Sequence, residues 1–92
     1  MSDTTLSKRL EVKNRLGLHA RAAALLVQTT AQFDADVTVA KDGQVVNAKS
    51  ILGLMTLAAA QGSLIEVSAS GPEAVEALRA IERLIEQKFH EE

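Results

Sequence analysis

The chain has 92 residues, 47% of them hydrophobic and 24% charged, with a formal net charge of −2 and no cysteine. One small domain spanning residues 1–92 is expected at that length, with neither disulfides nor a thiolate metal site to hold it. Scattered lysines and arginines, and only Phe33 and Phe89 as aromatics, argue against a nucleic-acid surface, which needs a basic footprint and stacking platforms.

Residues 1–5 are polar and expected to fray. Met1-Ser2-Asp3-Thr4-Thr5 has no basic region followed by an apolar stretch, so no signal peptide is read there and a cytoplasmic protein is expected. Leu6 to Lys13 alternates, with Leu10 and Val12 on one face, as a half-buried strand does. Residues 14–18 read as a loop and 20–32 as a helix, whose apolar positions Ala22, Leu25, Leu26, Thr29 and Phe33 follow helical spacing. The run Ala22 to Val27 is the longest apolar stretch, far too short to span a bilayer, and no membrane partner is expected.

Asp36 to Ala40 alternates again, with Val37 and Val39 inward. Asp42-Gly43 signals a hairpin, and Val45-Val46-Asn47 pairs back. Residues 48–57 read as a short helix with Ser50 as N-cap. Gly62 breaks the chain before a strand at Ser63 to Ser70, with Ile65, Val67 and Ala69 on one face. Pro72 suits the first turn of a last helix capped by Gly71 or Ser70, with Val75, Leu78, Ile81 and Ile85 as its buried stripe. Residues 89–92 read as a polar tail. The order β-α-β-β-α-β-α predicts an α+β fold, a two-layer open-faced sandwich of four antiparallel strands with three helices on one face.

His19 lies in Asn14-Arg15-Leu16-Gly17-Leu18-His19-Ala20-Arg21-Ala22-Ala23, where strand-like pattern gives way to helix-like pattern. A histidine near a helix start is commonly a capping or surface residue. Here, however, unpaired backbone N–H groups and the positive end of the helix dipole converge on a nucleophile. Arg21 adds a planar cation suited to phosphate oxygens, and Gly17 permits a tight turn. A second segment agrees. Ile51, Leu52, Leu54, Met55 and Leu57 are too many apolar side chains for one short helix to bury, so part of it reads as a docking surface, with Ile51, Leu52 and Met55 beside Ala20 and Ala24.

Gly17-Leu18-His19-Ala20-Arg21 resembles the active-site signature of the HPr family, the histidine phosphocarriers of the bacterial phosphoenolpyruvate-dependent phosphotransferase system. Asn47-Ala48-Lys49-Ser50-Ile51-Leu52-Gly53-Leu54-Met55-Thr56-Leu57 resembles its serine-site signature, and the likeness spans residues 6–88. The resemblance implies a monomeric carrier without cofactor, not an enzyme. His19 would take a phosphoryl group on Nδ1 from phosphorylated enzyme I and pass it to an enzyme IIA-type acceptor, with Arg21 assisting. Ser50 would be the target of an HPr serine kinase/phosphorylase where a bacterium possesses one. An unperturbed imidazole is substantially neutral, hence nucleophilic, near neutral pH.

Ala22 stands where the family usually carries proline, which should loosen the helix start modestly. Gln28 and Ala31 replace lysines that many sugar-system members use for docking, so the nitrogen-branch relative, NPr, stays open beside sugar uptake. A regulatory interaction module controlled by Ser50 phosphorylation is the alternative, although retention of His19 argues against a purely regulatory role. A metal or hydrolytic enzyme fails on inventory, because His90 is distant in sequence and no ligand cluster accompanies either histidine.

Overall fold

The computed structural model describes residues 5–91. Strand β1 (Leu6–Glu11) is followed by α1 (Ala20–Thr30), β2 (Asp36–Lys41), β3 (Gln44–Asn47), α2 (Ile51–Thr56), β4 (Leu64–Ser70) and α3 (Ala74–Glu86), with a 3₁₀ turn at Lys88–His90. The fraying expected of residues 1–4, and the last tail residue, Glu92, lie outside the described residues; Thr5 is exposed. The four strands form one sheet in the order β1-β4-β2-β3, every neighbouring pair antiparallel. The sandwich anticipated from the element order is therefore the one formed.

Pairing puts the alternating apolar residues of separate strands into one layer. Leu10 lies opposite Ile65, Val67 opposite Val39, Ala69 opposite Val37, and Val39 opposite Val46. The helices cover this layer: α3 packs on β1, β4 and β2, α2 on β3, and α1 against both other helices. Lys8 falls on the covered face at the sheet edge and reaches Glu82 of α3. The opposite face keeps polar cross-strand pairs such as Ser7 with Ser68, whose hydroxyls lie 2.9 Å apart. The β2–β3 hairpin turns through Asp42 and Gly43, both at positive φ (51° and 83°), which is the primed turn that matches strand twist. β1 ends two residues earlier than the alternation suggested. Even so, Val12 still donates its N–H to Ser63 and accepts from Gly62, and its side chain is fully buried.

Helix α1 stops at Thr30, two residues short of the expected end, and its buried set is Ala22, Ala23, Leu26 and Thr30. Thr30, rather than Thr29, faces inward, its hydroxyl donating to the Leu26 carbonyl at 2.9 Å so that no buried polar atom is orphaned there. The helix nevertheless starts at Ala20, with Ala22 wholly in the core.

Helix α3 departs further from expectation. It begins at Ala74 with Glu73 at the N-cap, and neither Ser70, Gly71 nor Pro72 caps or enters it. Glu73 makes no cap bond; its carboxylate accepts the Asp34 N–H at 2.7 Å, while its own N–H donates to the Asp34 carbonyl. Tying the helix start to the α1–β2 turn sets the helix phase. The buried stripe is Ala74, Ala77, Ile81, Leu84 and Ile85, with Leu78 half-buried and Val75 exposed.

The end of the chain is not a polar tail. Lys88, Phe89 and His90 all adopt positive φ (57°, 53° and 59°), a left-handed turn that L-residues resist. It drives Phe89 into the core and returns Glu91 to the loop after β1. Burial of Phe89 counters part of the backbone strain, since a fully buried side chain of that size contributes about 1.5–3 kcal/mol.

The phase of α3 is testable by paired truncations. Ile81→Ala should destabilise the protein by about 2–5 kcal/mol, and Val75→Ala by no more than about 0.5 kcal/mol, measured by urea denaturation. Equal losses would return Val75 to the core.

Candidate functional site

Residue 17 is where the loop's geometry is decided. Gly17 has φ +68°, and a Cβ placed there would lie 2.3 Å from the Ala59 carbonyl oxygen, an impossible contact with backbone. That same oxygen accepts the Leu18 N–H at 2.9 Å. Loop and α2–β4 connection are thereby clamped together, and Leu18 is buried beneath. Asn14, fully buried, donates through Nδ2 to the Gly17 carbonyl at 2.8 Å and leaves Oδ1 without a partner.

The turn delivers His19 to the N-cap of α1 with extended backbone (φ −77°, ψ 178°). Its carbonyl accepts the Ala23 N–H at 2.9 Å, opening the helix. Its Nδ1 accepts the Arg21 N–H at 3.3 Å, so one ring nitrogen turns its lone pair toward the helix N-terminus. The ring is partly accessible, at 31% side-chain exposure. His19 thus caps the helix and also holds an imidazole nitrogen at the positive end of its dipole.

The other ring nitrogen faces a carboxylate. Glu91 Oε2 lies 3.9 Å from His19 Nε2. Glu91 is itself fixed: Oε1 accepts the Arg15 N–H at 2.7 Å, and Oε2 accepts the Leu16 N–H and Asn14 Nδ2–H at 3.2 Å each. Burial by itself pushes the Glu91 carboxyl up. The hydrogen bonds from Asn14, Arg15 and Leu16, with the attraction of His19, outweigh that and hold it below the ordinary carboxylate value.

Leu16, His19, Arg21, Phe89, His90 and Glu91 line a cavity of about 280 Å³. A larger depression, about 430 Å³, lies near Arg9, Lys41, Val45 and Glu66 and shares no residue with it. His90 is distant in sequence, yet the return of the chain end brings it, still exposed, to the cavity that His19 lines. Among the described residues there is no cluster of His, Cys, Asp and Glu able to hold a metal ion, and no helix long and apolar enough to cross a membrane.

Ser50 is the N-cap of α2, its Oγ accepting the Gly53 N–H at 3.0 Å. Of the apolar residues in that segment, Leu54 and Leu57 are core, whereas Ile51, Leu52 and Met55 are exposed. Ala20 is exposed and Ala24 half-buried on α1, which packs against α2. Leu16, exposed at 63% and lining the His19 cavity, belongs with these surface apolar residues but was not anticipated. An unburied leucine within a glycine-bearing loop was the available signal. Nothing in the local sequence around Glu91 marked it, since its partners lie some 75 residues away.

The contribution of Glu91 has a defined pH dependence. A carboxyl held below its unfolded value stabilises the fold fully above that unfolded value and loses the contribution as pH falls through the lowered one. Urea denaturation across pH should therefore show Glu91→Gln less stable than wild type above the carboxylate range, with the gap closing on acidification. A gap independent of pH would mean that the Glu91 charge does not hold the chain end.

The family model for the PTS HPr component phosphorylation site matches residues 6–87. Phosphocarrier protein HPr of Treponema pallidum is 51% identical over 85 residues, covering 92% of this chain and 97% of that protein. The HPr-like protein Crh of Halalkalibacterium halodurans is 45% identical, covering 90% of this chain and 99% of its own. The crystal structure of HPr from Thermoanaerobacter tengcongensis superposes with a TM-score of 0.90 at 48% identity, over 95% of this chain and 98% of that one.

Proposed function

The chain belongs to the HPr family, the phosphocarriers of the phosphotransferase system, and we propose that His19 is the residue on which it carries the phosphoryl group. A member of this family is a carrier that other proteins load and unload, not a catalyst. The observation that carries the assignment is the Arg21 N–H donated to His19 Nδ1, which fixes that nitrogen against the helix N-terminus. A phosphoryl group joined to Nδ1 would lie among the first backbone N–H groups of α1, where dipole and hydrogen bonding both favour an anion. Arg21, exposed and lining the same cavity, adds a guanidinium suited to the phosphoryl oxygens.

Transfer then proceeds by attack of the Nδ1 lone pair on the phosphorus of phosphorylated enzyme I. The new N–P bond forms as the donor's bond breaks, and the donor keeps the electron pair. The same steps in reverse hand the group to an enzyme IIA-type protein. Partial exposure of the ring serves this exchange, because both partners must reach the same atom. Leu16, Ala20, Ala24, Ile51, Leu52 and Met55 supply the apolar surface around it for docking. The reading places the protein in the cytoplasm as a monomer, with sugar uptake and nitrogen-related regulation both compatible.

Intact-mass measurement after incubation with phosphoenolpyruvate and enzyme I tests the assignment. Wild type and His90→Ala should gain one phosphoryl group and His19→Ala none. Arg21→Ala should fold normally and transfer roughly ten- to hundredfold more slowly, the effect of one lost charge-assisted contact. Phosphate on His19→Ala would remove the assignment.

Ser50 supports a second, regulatory reading. Its hydroxyl starts the helix that bears Ile51, Leu52 and Met55. A phosphate there suits a helix N-terminus, yet it sets about −1.5 to −2 charges against an apolar docking surface. Ser50→Asp should keep the cap and the fold, while enzyme I saturates at higher carrier concentration. Unchanged saturation kinetics would leave Ser50 a structural cap only.

A further inference from the structure

The imidazole of His19 lies between two unlike neighbours. A backbone N–H from Arg21 points at Nδ1, and the Glu91 carboxylate stands 3.9 Å from Nε2, beyond hydrogen-bond length but within ion-pair reach. A donor on one side and a fixed negative charge on the other both favour the same tautomer, with the proton on Nε2 and the lone pair on Nδ1. The carboxylate cannot easily swing away, because Arg15, Leu16 and Asn14 donate to it. Among the described residues, Arg21 and His90 are the other charged or titratable residues lining the same cavity.

We propose that Glu91 is a positioning residue that reserves Nε2 for the proton and so directs phosphoryl transfer to Nδ1. The inference rests on the reading of His19 as acceptor. When the Nδ1 lone pair bonds to phosphorus, the donor's bond to phosphorus breaks and the donor keeps that electron pair. The Nε2 proton stays in place, and the ring becomes a cation. Its charge is shared with Nε2, where the carboxylate stabilises it, as a fixed acid group does for a reacting histidine elsewhere. The same negative charge repels an anionic donor approaching Nε2. Glu91 thus favours one nitrogen and disfavours the other.

Phosphoramidate, a small phosphoryl donor that leaves as ammonia, separates this chemistry from protein docking. Wild type and Glu91→Gln, labelled with ¹⁵N, are treated with it, and the modified nitrogen is identified from ¹⁵N and ³¹P spectra. Glutamine keeps one acceptor oxygen, enough for the Arg15 or the Leu16 N–H but not both, and removes the charge; those two amide resonances report whether the chain end remains docked. Wild type should be modified at Nδ1 alone. Glu91→Gln should react at Nδ1 roughly two- to fivefold more slowly and yield detectable Nε2 product. Glu91→Asp, which keeps the charge, should retain the preference for Nδ1.

Modification of Glu91→Gln at Nδ1 alone and at the wild-type rate would overturn the proposal. So would equal loss of selectivity in Glu91→Gln and Glu91→Asp, which would place the effect in docking of the chain end. Loading by phosphoenolpyruvate and enzyme I is run in parallel. Failure of wild type to load there removes the carrier reading, while the phosphoramidate products still judge Glu91.

Discussion

Where the chain passes from its first strand to its first helix, backbone lies against backbone so closely that residue 17 has room only for a hydrogen atom. The Ala59 carbonyl occupies the place of a side chain and takes the Leu18 N–H in return. Much follows from this contact. It joins the loop before α1 to the connection after α2, two segments that meet only in the folded protein. It also fixes the direction in which the chain enters α1, and therefore which residue becomes the N-cap. His19 caps the helix because the turn beneath it has no freedom to place another residue there.

The layer of Leu10, Ile65, Val67, Val39 and Ala69, roofed by helices rich in alanine, gives that contact a rigid base. Small side chains on α1 and α3, such as Ala22, Ala23, Ala74 and Ala77, let helices and sheet approach closely, with Phe89 as the one buried aromatic among the described residues. Interiors of this kind pack at crystal-like density and transmit position faithfully. A carrier needs that more than it needs a deep pocket. Under the proposed assignment, the reactive atom must be presented in one orientation to successive partners, and a partly exposed His19 ring on a stiff frame would do this.

Electrostatics around the ring are asymmetric. The Arg21 N–H at the helix N-terminus lies toward Nδ1, and Glu91 toward Nε2. The first arrangement suits a bound anion, and the second suits a proton held in place. Under the proposed assignment of His19, a phosphoryl group there would be met by the helix N-terminus and the Arg21 guanidinium.

Local chemistry was legible in the sequence because its causes lie within a few residues. Period-two alternation marked the strands, Asp42-Gly43 the hairpin, Ser50 the cap of α2, and Gly17 with His19 and Arg21 the turn into α1. Each depends on φ/ψ preference or on one hydrogen bond between near neighbours. Tertiary structure decided what depends on distant partners. The buried stripe of α3 was set by Glu73 binding Asp34, so Ala74 and Ala77 face inward and Val75 does not. The chain end was assigned to solvent by its charge, yet Phe89 needed burial and the amides of Arg15 and Leu16 needed an acceptor. A carboxylate meets backbone N–H groups some 75 residues away only after the sheet has brought both ends of the chain together, and no pattern within a local window records that.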